Sequence, residues 1–466
     1  MPTKIKDAGV HPYIPNSVPA VQREMLREIG VRDLEALYAD IPAALRFRGK
    51  MKLPPACRSE QELKQHVERI LAQNQTCAER LSFLGGGCAN HYVPAICDEI
   101  VQRAEFLTAY AGEPYEDAGR FQALFEYESL MGELLDFDVV NVPTYDWGQA
   151  ASTALRMAAR ITGRTRILVS DTLSPDRYSI IRNYCAPMLA FESIRHDPGT
   201  GLLEVNDLRA KMDDTVAAIY FENPSYLGFI ETQGEAIAGI AHRHGGLCVV
   251  GTDPLALGVL KPPSQYGADL ACGCIQGLGN HMYFGGSVAG FIASRDEPKF
   301  VLEYPSRLFG IARTSVEDEW GFGDVTYGRT SFDKREKGKE FIGTAAALYG
   351  IAAAVYLSLL GPRGLRELGQ HLLQKNLYAR KTLARVRGLS LRFSAMSFKE
   401  FVIDFSRTGL SVRRINQALR KHGIFGGHDL SAEFPALKNC ALYCFTEAVS
   451  QADIDRLAQT LKTILP

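Results

Sequence analysis

The stretch Gly251–Gly290 reads GTDPLALGVLKPPSQYGADLACGCIQGLGNHMYFGGSVAG, and it decides the fold of the chain. It follows the short apolar run Leu247–Val250, which we predict to be a buried strand. Open α/β sheets bind their ligands at the carboxyl ends of parallel strands. Asp253 comes just after the predicted strand, so it is a candidate site acid.

A second apolar run follows Asp269, and the glycine-rich segment Gly277–Gly290 comes after it. This order resembles fold-type I pyridoxal-phosphate (PLP) enzymes, in which an aspartate faces the pyridine nitrogen and a lysine before a Gly-Gly turn holds the cofactor. Here no lysine lies between Lys261 and Lys299. No other side chain supplies the ε-amine that the cofactor needs. We therefore expect Asp253 to be a structural acid in this chain.

The alternation of strand and helix signals predicts the rest of the architecture. Apolar runs typical of buried strands are separated by helical patterns between Arg166 and Val250, which predicts a mostly parallel sheet with helices on its faces. A second αβ pattern begins near Gly364. The expected fold class is α/β: a PLP-dependent transferase of fold type I, with a large domain and a smaller C-terminal α/β domain. The expected parts are an N-terminal helical segment 1–80, a large domain 81–340, and a connecting helix with the small domain 341–466.

Composition excludes several classes of protein. The 52 basic and 53 acidic residues nearly cancel, which argues against nucleic acid as a main partner. Ten cysteines are scattered without paired CxxC motifs, so we expect reduced thiols and no metal site. The N-terminal sequence MPTKIKDAGVHPYIP has neither an apolar signal region nor the character of a transit peptide. We expect a cytoplasmic protein.

One apolar run is ambiguous. Phe341–Gly361 carries no charge and is long enough to span a membrane. Its many Ala and Gly residues make it weakly hydrophobic, and a helix that is apolar all round is equally typical of a buried position between domains. We predict a buried helix and no membrane.

Several longer motifs carry a resemblance to a known family. They run in order along the chain: FLGGGCANHYVPAICDEI, FLTAY, LFEYESLMGEL, NVPTYD, NPSYLGFIE, DPLALGVLKPPSQYGADL, GLGNHMYFGGSVAGF and KREK. With them the chain resembles the P-protein of the glycine cleavage system, a glycine decarboxylase, in the form of subunit 1 of the split enzyme. That subunit is the one without the cofactor lysine, which agrees with the missing lysine.

The resemblance implies partners and a reaction. It implies an α2β2 heterotetramer in which subunit 2 carries PLP on its own lysine and the present chain completes its site. It also implies decarboxylation of glycine and transfer of the aminomethyl group to the lipoyl H-protein, with no cofactor held covalently on this chain.

Four residues in the family motifs are candidates to be lent to the partner's active site. They are Tyr92, Tyr110, Tyr145 and Asp146. The alternative for the tyrosines is a packing role. The loop that contains Asp146 precedes a predicted helix. The N-terminus of this helix either binds a phosphate or is only a favourable start for the helix.

The Gly-Gly turn supplies a second group of candidates. Gly285, Gly286 and Ser287 are expected to contact the phosphate of the partner's PLP through backbone N–H groups. A hairpin that needs glycine for positive φ explains the same residues, and both explanations can hold. The nearby KREK motif, Lys334–Lys337, either binds a carboxylate or an acidic carrier protein, or is a solvated charged face.

Three segments depart from the family pattern. Trp147–Thr153 replaces a Gly-Ala-Thr-Ala run and a following Glu, Gly338–Ala345 replaces an Asn- and Cys-containing segment, and Gly112–Tyr115 replaces a Tyr-Gln-Pro-Glu piece. Two alternatives to the glycine decarboxylase subunit therefore stay open. One is a divergent complex that acts on another small amino acid, and the other is a catalytically empty scaffold or regulatory pseudo-enzyme of the same fold.

Overall fold

The structure, a computed structural model, describes residues 17–47, 49–107, 114–283, 289–338, 340–342 and 346–466. The helices are α1 Pro19–Ile29, α2 Glu60–Leu71, α3 Ala95–Val101, α4 Ala104–Leu107, α5 Pro114–Leu135, α6 Trp147–Thr162, α7 Pro175–Cys185, α8 Val205–Lys211, α9 Gly234–Arg243, α10 Pro298–Val301, α11 Ala347–Leu383, α12 Val412–Lys421 and α13 Gln451–Ile464.

The strands are short, and most of them coincide with apolar runs of the sequence. They are β1 Leu81–Ser82, β2 Val139–Val140, β3 Arg166–Ser170, β4 Ala190–Ile194, β5 Val216–Glu222, β6 Leu247–Thr252, β7 Leu270–Cys274, β8 Gly290–Ser294, β9 Phe309–Arg313, β10 Trp320–Asp324, β11 Ser390–Leu391, β12 Glu400–Asp404, β13 Ile424–Phe425, β14 His428–Asp429 and β15 Cys440–Cys444.

The chain forms two compact units, one that ends at Asn74 and one that runs from Gln75 to Pro466. In the first unit, Gly30 ends α1 in the left-handed conformation with φ 78°, and Ser59 caps α2 by accepting a hydrogen bond from the Glu62 N–H. After α1 the chain forms two 3₁₀ turns, Leu34–Tyr38 and Ala43–Leu45.

The large sheet lies in the second unit. Among the described residues its strand order is β2-β8-β7-β6-β5-β3-β4, with β4, β3, β5, β6 and β7 parallel and the β8 and β2 edge antiparallel. Alternate residues of one strand enter different cores: Val250 packs in one apolar cluster and Val249 in another. Side chains alternate across a sheet, so both faces are covered, as in other α/β folds. The predicted mostly parallel sheet is confirmed.

The small sheet has the order β11-β12-β15-β14 and is antiparallel. Helices α12 and α13 pack on it through a cluster that includes Phe401, Ile415 and Leu457. Gly228, in the loop after β5, lies close to the first residue of β12 in the small sheet. Its φ is 93°, and a Cβ at this position would lie 2.1 Å from the Glu400 carbonyl oxygen. The loop after β5 and the small sheet therefore meet backbone to backbone. The predicted division at residues 80 and 340 stays a prediction.

The apolar run Phe341–Gly361 only partly matches a helix. Helix α11 begins at Ala347, continues to Leu383 and is interrupted at Gly361, where φ is 61°, just before Pro362. Phe341 precedes the helix and is 68% exposed. Within the described residues α11 is the helix long and apolar enough to cross a membrane, yet its first turns contribute Ala353 and Tyr356 to the core of the large sheet, as a buried core helix does.

Candidate functional site

Two acids mark the carboxyl edge of the large sheet. Glu222 is the last residue of β5, and Asp253 directly follows β6, where the sequence predicted it. The Asp253 side chain also caps the 3₁₀ turn after it by accepting a hydrogen bond from the Leu255 N–H at 3.1 Å. Both carboxylates face a small cavity, which we call the strand-end cavity. It is lined by Gly87, Cys88, Ala89, Trp147, Arg177, Glu222, Pro224, Ser225, Tyr226, Gly228, Asp253, Cys274, Gln276, Gly277, Phe398, Lys399 and Glu400.

Asp253 is neutralised from within the chain. The ammonium group of Lys399, the residue just before β12, lies 2.6 Å from Asp253 Oδ2, and the side chains are only 13% and 19% exposed. Burial alone raises the pKa of Asp253, but the Lys399 charge more than offsets this effect and holds the pKa below its usual value. The same pairing raises the pKa of Lys399 against the opposing effect of burial. Both groups are therefore charged at neutral pH.

A buried histidine extends this pair. Lys399 Nζ lies 3.0 Å from His91 Nε2, and His91 Nδ1 lies 2.9 Å from Glu447 Oε2. Because an ammonium group only donates, Nε2 accepts from Lys399 and the Nδ1–H donates to Glu447. Burial of Glu447 would raise its pKa, but the hydrogen bond from His91 and that from the Tyr92 N–H lower it to about 2. His91 thus joins Lys399 to Glu447.

A second ion pair fills the other side of the cavity. Arg177 Nη1 donates to Glu222 Oε1 at 2.6 Å, and the guanidinium group stacks 4.0 Å from the centre of the Trp147 ring. The Tyr220 hydroxyl also donates to Glu222 Oε1. Burial raises the pKa of Glu222 despite the nearby Arg177 charge. Glu222 Oε2 and the hydroxyl of Ser225 have no hydrogen-bond partner among the described residues.

The strand-end cavity is too small for a pyridine cofactor. Its volume is about 40 Å³, room for a few water molecules, whereas ligand sites of drug size span roughly 300–1,000 Å³. The N-terminus of α6 is also occupied, because Asp146 accepts a hydrogen bond from the Gln149 N–H at 2.7 Å, and a carboxylate there repels a phosphate. Asp253, the acid that would face the pyridine nitrogen, already pairs with Lys399. These residues do not fit PLP in this chain.

Two of the predicted tyrosines lie elsewhere, on the surface. Tyr92 and Tyr145 are each 66% exposed. Tyr145 is next to the residues that flank the predicted Gly-Gly turn, since the Ala289 N–H donates to its carbonyl oxygen at 2.6 Å. Asp146 is half-buried, and burial raises its pKa although the N–H groups of the first turn of α6 oppose this effect. The cap explains Asp146 structurally, and its role toward a partner stays a prediction.

Other candidates lie outside the described residues. These are Tyr110, Gly285, Gly286 and Ser287. The neighbouring segment is described as far as Tyr283, whose ring packs edge-on against Tyr349 at 5.1 Å between centroids. His281 Nε2 lies 2.9 Å from Asp98 Oδ1 in α3, the helix that follows Tyr92. Tyr92, Tyr145 and Tyr283 are all exposed, and residues next to Tyr283 contact α3 and the residues that follow the predicted Gly-Gly turn contact Tyr145. We call these three tyrosines the tyrosine face.

Two segments that depart from the family pattern contact each other. Thr153 in α6 donates to Glu340 Oε1 at 2.8 Å, and Arg160 Nη1 donates to Glu340 Oε2 at 3.1 Å. The Glu340 side chain is 3% exposed. The preceding KREK motif is mostly exposed, with Lys334 paired to Glu303, as expected of a solvated charged face. The departures at Thr153 and Glu340 therefore form one polar contact, away from the residues that line the strand-end cavity.

Several residues in and around the strand-end cavity were missed by sequence reasoning. Lys399, Arg177, His91 and Glu447 were not predicted, although His91 lies in a motif that was quoted. Their pairings join residues far apart in the sequence, so no local spacing indicates them. Within the part of the chain that the structure describes, no group of His, Cys, Asp and Glu is suited to hold a metal ion.

Comparison with known proteins identifies the family. The family described as "Glycine cleavage system P-protein" matches residues 11–461. A relative from Staphylothermus marinus named "Probable glycine dehydrogenase (decarboxylating) subunit 1" is 37% identical and covers 98% of each chain. A relative of the same name from Thermococcus onnurineus is 36% identical over 98% of this chain and all of its own.

Solved structures agree with this comparison. A crystal structure of glycine decarboxylase (P-protein) of the glycine cleavage system, in inhibitor-bound form, superposes with a TM-score of 0.83 at 32% identity over 98% of this chain and 100% of that one. A sphingosine-1-phosphate lyase from Burkholderia pseudomallei shares the fold, with a TM-score of 0.63, 14% identity and coverage of 91% of this chain and 94% of that chain. The predicted resemblance and fold are confirmed: the chain belongs to the glycine cleavage system P-protein family.

Proposed function

We propose that this chain is subunit 1 of a glycine dehydrogenase (decarboxylating) and completes the active site of a partner subunit that carries PLP. One observation supports this assignment most strongly: relatives that match 98% of the chain at 36–37% identity bear this name. The partner, the α2β2 assembly and transfer of the aminomethyl group to a lipoyl H-protein are parts of the proposal.

The strand-end cavity supports placing the cofactor on the partner. PLP, when bound, stabilises negative charge on the carbon that loses CO2, and an enzyme that carries it needs a lysine and a roomy pocket to hold it. Here the segment 262–298 has no lysine. Lys399 is committed to Asp253 as a charged ammonium group, so it lacks the free electron pair that bond formation with an aldehyde requires.

The tyrosine face supports the idea of a shared site. Tyr92 and Tyr145 are each 66% exposed, so packing in the core of this chain does not account for these two aromatic side chains. In the proposed complex they orient the substrate or exclude water at the partner's site. The Ala289 and Gly290 N–H groups bond to the Tyr145 and Thr144 carbonyls, which fixes the base of the predicted Gly-Gly turn against the same loop.

The experiment is to co-express the chain with the P-protein subunit that carries the cofactor lysine, with a tag on the present chain only. We expect a yellow complex whose absorbance shifts when glycine is added and which exchanges the glycine carboxyl group with bicarbonate in the presence of lipoyl H-protein. A colourless chain that captures no partner would contradict the proposal. A complex that turns over another small amino acid but not glycine would favour the divergent alternative instead.

A further inference from the structure

The charges that line the strand-end cavity do not balance. The described residues of its lining include three carboxylates and two positive side chains: Glu222, Asp253, Glu400, Arg177 and Lys399. Arg177 pairs with Glu222. Lys399 pairs with Asp253. The lining therefore carries one negative charge in excess, since both positive side chains that lie near Glu400 are already paired with other carboxylates.

Burial makes this excess charge unfavourable. Glu400 accepts a hydrogen bond from the Gly86 N–H at 2.7 Å, which offsets part of the cost. Burial nevertheless raises the pKa of Glu400, and it also raises the pKa of Glu222, although the Arg177 charge opposes both effects. A charge without a partner is costly in a protein interior. The cavity therefore favours an occupant with one positive charge.

Two oxygen atoms of the lining also lack a hydrogen-bond partner. They are Glu222 Oε2 and the hydroxyl of Ser225, which have none among the described residues. The Glu222 side chain is 1% exposed and Ser225 is 5% exposed. The two side chains do not bond to each other either. Buried polar atoms in proteins almost always have a partner, so these two oxygens indicate a species that binds in the cavity.

The size of the cavity limits this species to a small ion or to water. The volume is about 40 Å³, and one water molecule needs roughly 10–15 Å³ on the same measure. Potassium and ammonium ions are close to a water molecule in size. A divalent metal ion is disfavoured, because such ions take several carboxylate ligands and no described group of His, Cys, Asp and Glu is suited to hold one.

A proton or a water molecule alone would meet only part of the requirement. A proton on Glu222 would remove the excess charge but would leave the Ser225 hydroxyl without a partner. A water molecule could bond to both oxygens but would leave the charge in place. A potassium ion coordinates carboxylate and hydroxyl oxygens, and an ammonium ion donates hydrogen bonds to them. Either ion meets both requirements.

We propose that the strand-end cavity binds one monovalent cation, potassium or ammonium, through Glu222 Oε2 and the Ser225 hydroxyl. The lining comes from both sheets, since Glu222 ends β5 of the large sheet and Glu400 begins β12 of the small sheet. The ion therefore stabilises the packing of the small sheet on the large one. A ligand that binds only the folded chain stabilises it in proportion to its occupancy. This inference does not depend on the proposed function.

The first test measures thermal unfolding of the isolated chain in different salts. Potassium, ammonium and tetramethylammonium chloride are compared at equal concentration, because the tetramethylammonium ion is too large for the cavity. We expect potassium and ammonium to raise the unfolding temperature by about 2 °C or more above its value in tetramethylammonium, and the gain to saturate. Equal unfolding temperatures in the three salts would overturn the inference and leave water as the occupant.

Substitutions locate the site. Glu222→Gln keeps an oxygen that accepts from Arg177 but removes the negative charge, so the gain from potassium is expected to disappear. Ser225→Ala is expected to raise the potassium concentration that gives half of the gain by about threefold or more. The matched control is Glu340→Gln, which alters another ion pair whose carboxylate is 3% exposed, and it should keep the full gain.

Two results with these variants would contradict the assignment. One is a full gain in Glu222→Gln and Ser225→Ala, and the other is a loss of the gain in Glu340→Gln as well. Should Glu222→Gln fail to fold, Ser225→Ala decides the outcome. Equilibrium dialysis with labelled rubidium, an analogue of potassium, adds a direct measurement: we expect one bound ion per chain in the wild type and in Glu340→Gln. Stabilisation by potassium without a bound ion would be a general salt effect, which also overturns the inference.

Discussion

Lys399 Nζ lies 2.6 Å from Asp253 Oδ2. This ion pair joins the residue just before β12 of the small sheet to the carboxyl end of β6, a central strand of the large sheet. The lysine side chain supplies the positive charge that balances the buried acid. His91 accepts a hydrogen bond from the same lysine and is itself bonded to Glu447.

Removal of the lysine charge is expected to destabilise the fold strongly. Lys399→Met leaves Asp253 buried without its partner, which costs about 3–5 kcal/mol. The control Lys299→Met breaks an exposed pair with Glu297 and costs about 1 kcal/mol or less. Urea unfolding of the isolated chain checks both values.

A compensating change tests whether the charge itself is responsible. The double variant Lys399→Met/Asp253→Leu removes both ions and is expected to recover a large part of the loss, because a buried pair can be replaced by apolar side chains at little cost. A double variant as unstable as Lys399→Met would contradict this account of the pair.

Acid is expected to weaken the protein through Glu447. The folded-state pKa of Glu447 is lowered to about 2 from a usual 4.5, so its stabilisation is complete above pH 4.5 and is lost as the pH falls from 4.5 toward 2. A shift of this size corresponds to about 3 kcal/mol. In Glu447→Gln that part of the acid dependence of the unfolding free energy is expected to disappear, as measured by urea titrations at several pH values. Glu99→Gln, in an exposed pair, is the control and should retain the wild-type slope.

Substitution on the tyrosine face is expected to reduce turnover without loosening the complex. Tyr92→Phe and Tyr145→Phe each remove only an exposed hydroxyl group, and we expect kcat of the co-expressed complex to fall tenfold or more. Tyr378→Phe, which removes a surface hydrogen bond to Asp455, is the control and should leave kcat unchanged. If all three variants keep full activity in an intact complex, the catalytically empty scaffold is the better description.

The contact between the two sheets is expected to be intolerant of a methyl group. Gly228→Ala places a Cβ 2.1 Å from the Glu400 carbonyl oxygen at φ 93°. Gly409→Ala has similar backbone strain at φ 70° but nothing within 4 Å, so it should cost only about 1–2 kcal/mol. Thermal unfolding should show a clearly larger loss for Gly228→Ala, and equal losses would exclude the close approach.

The large sheet was predictable because its central strands are continuous apolar runs that end in turn residues. Val216–Glu222 is buried along its whole length, and a strand of this kind needs no knowledge of its neighbours to be recognised. The start of α11 was harder to predict, because an uncharged Ala- and Gly-rich run does not mark where a helix begins. Asp253 was predictable because it follows a continuous apolar run, Leu247–Val250, that marks the strand before it.

The strand-end cavity was not predictable from spacing. Lys399 and His91 are 308 residues apart in the sequence and meet only when the two sheets pack together. A lysine beside a strand is normally exposed to solvent, so nothing in the sequence indicates that Lys399 is buried. The acid indicated where a site lies, but the residue that neutralises it becomes known only from the three-dimensional arrangement.

An enzyme of two lobes that admits its substrate between them has to open and close with each turnover, and ligand binding drives the closure. In this chain two contacts hold the lobes together without a ligand: the Lys399–Asp253 pair and the close approach at Gly228. In the proposed complex such a subunit would offer its neighbour a surface that is already formed before the substrate binds.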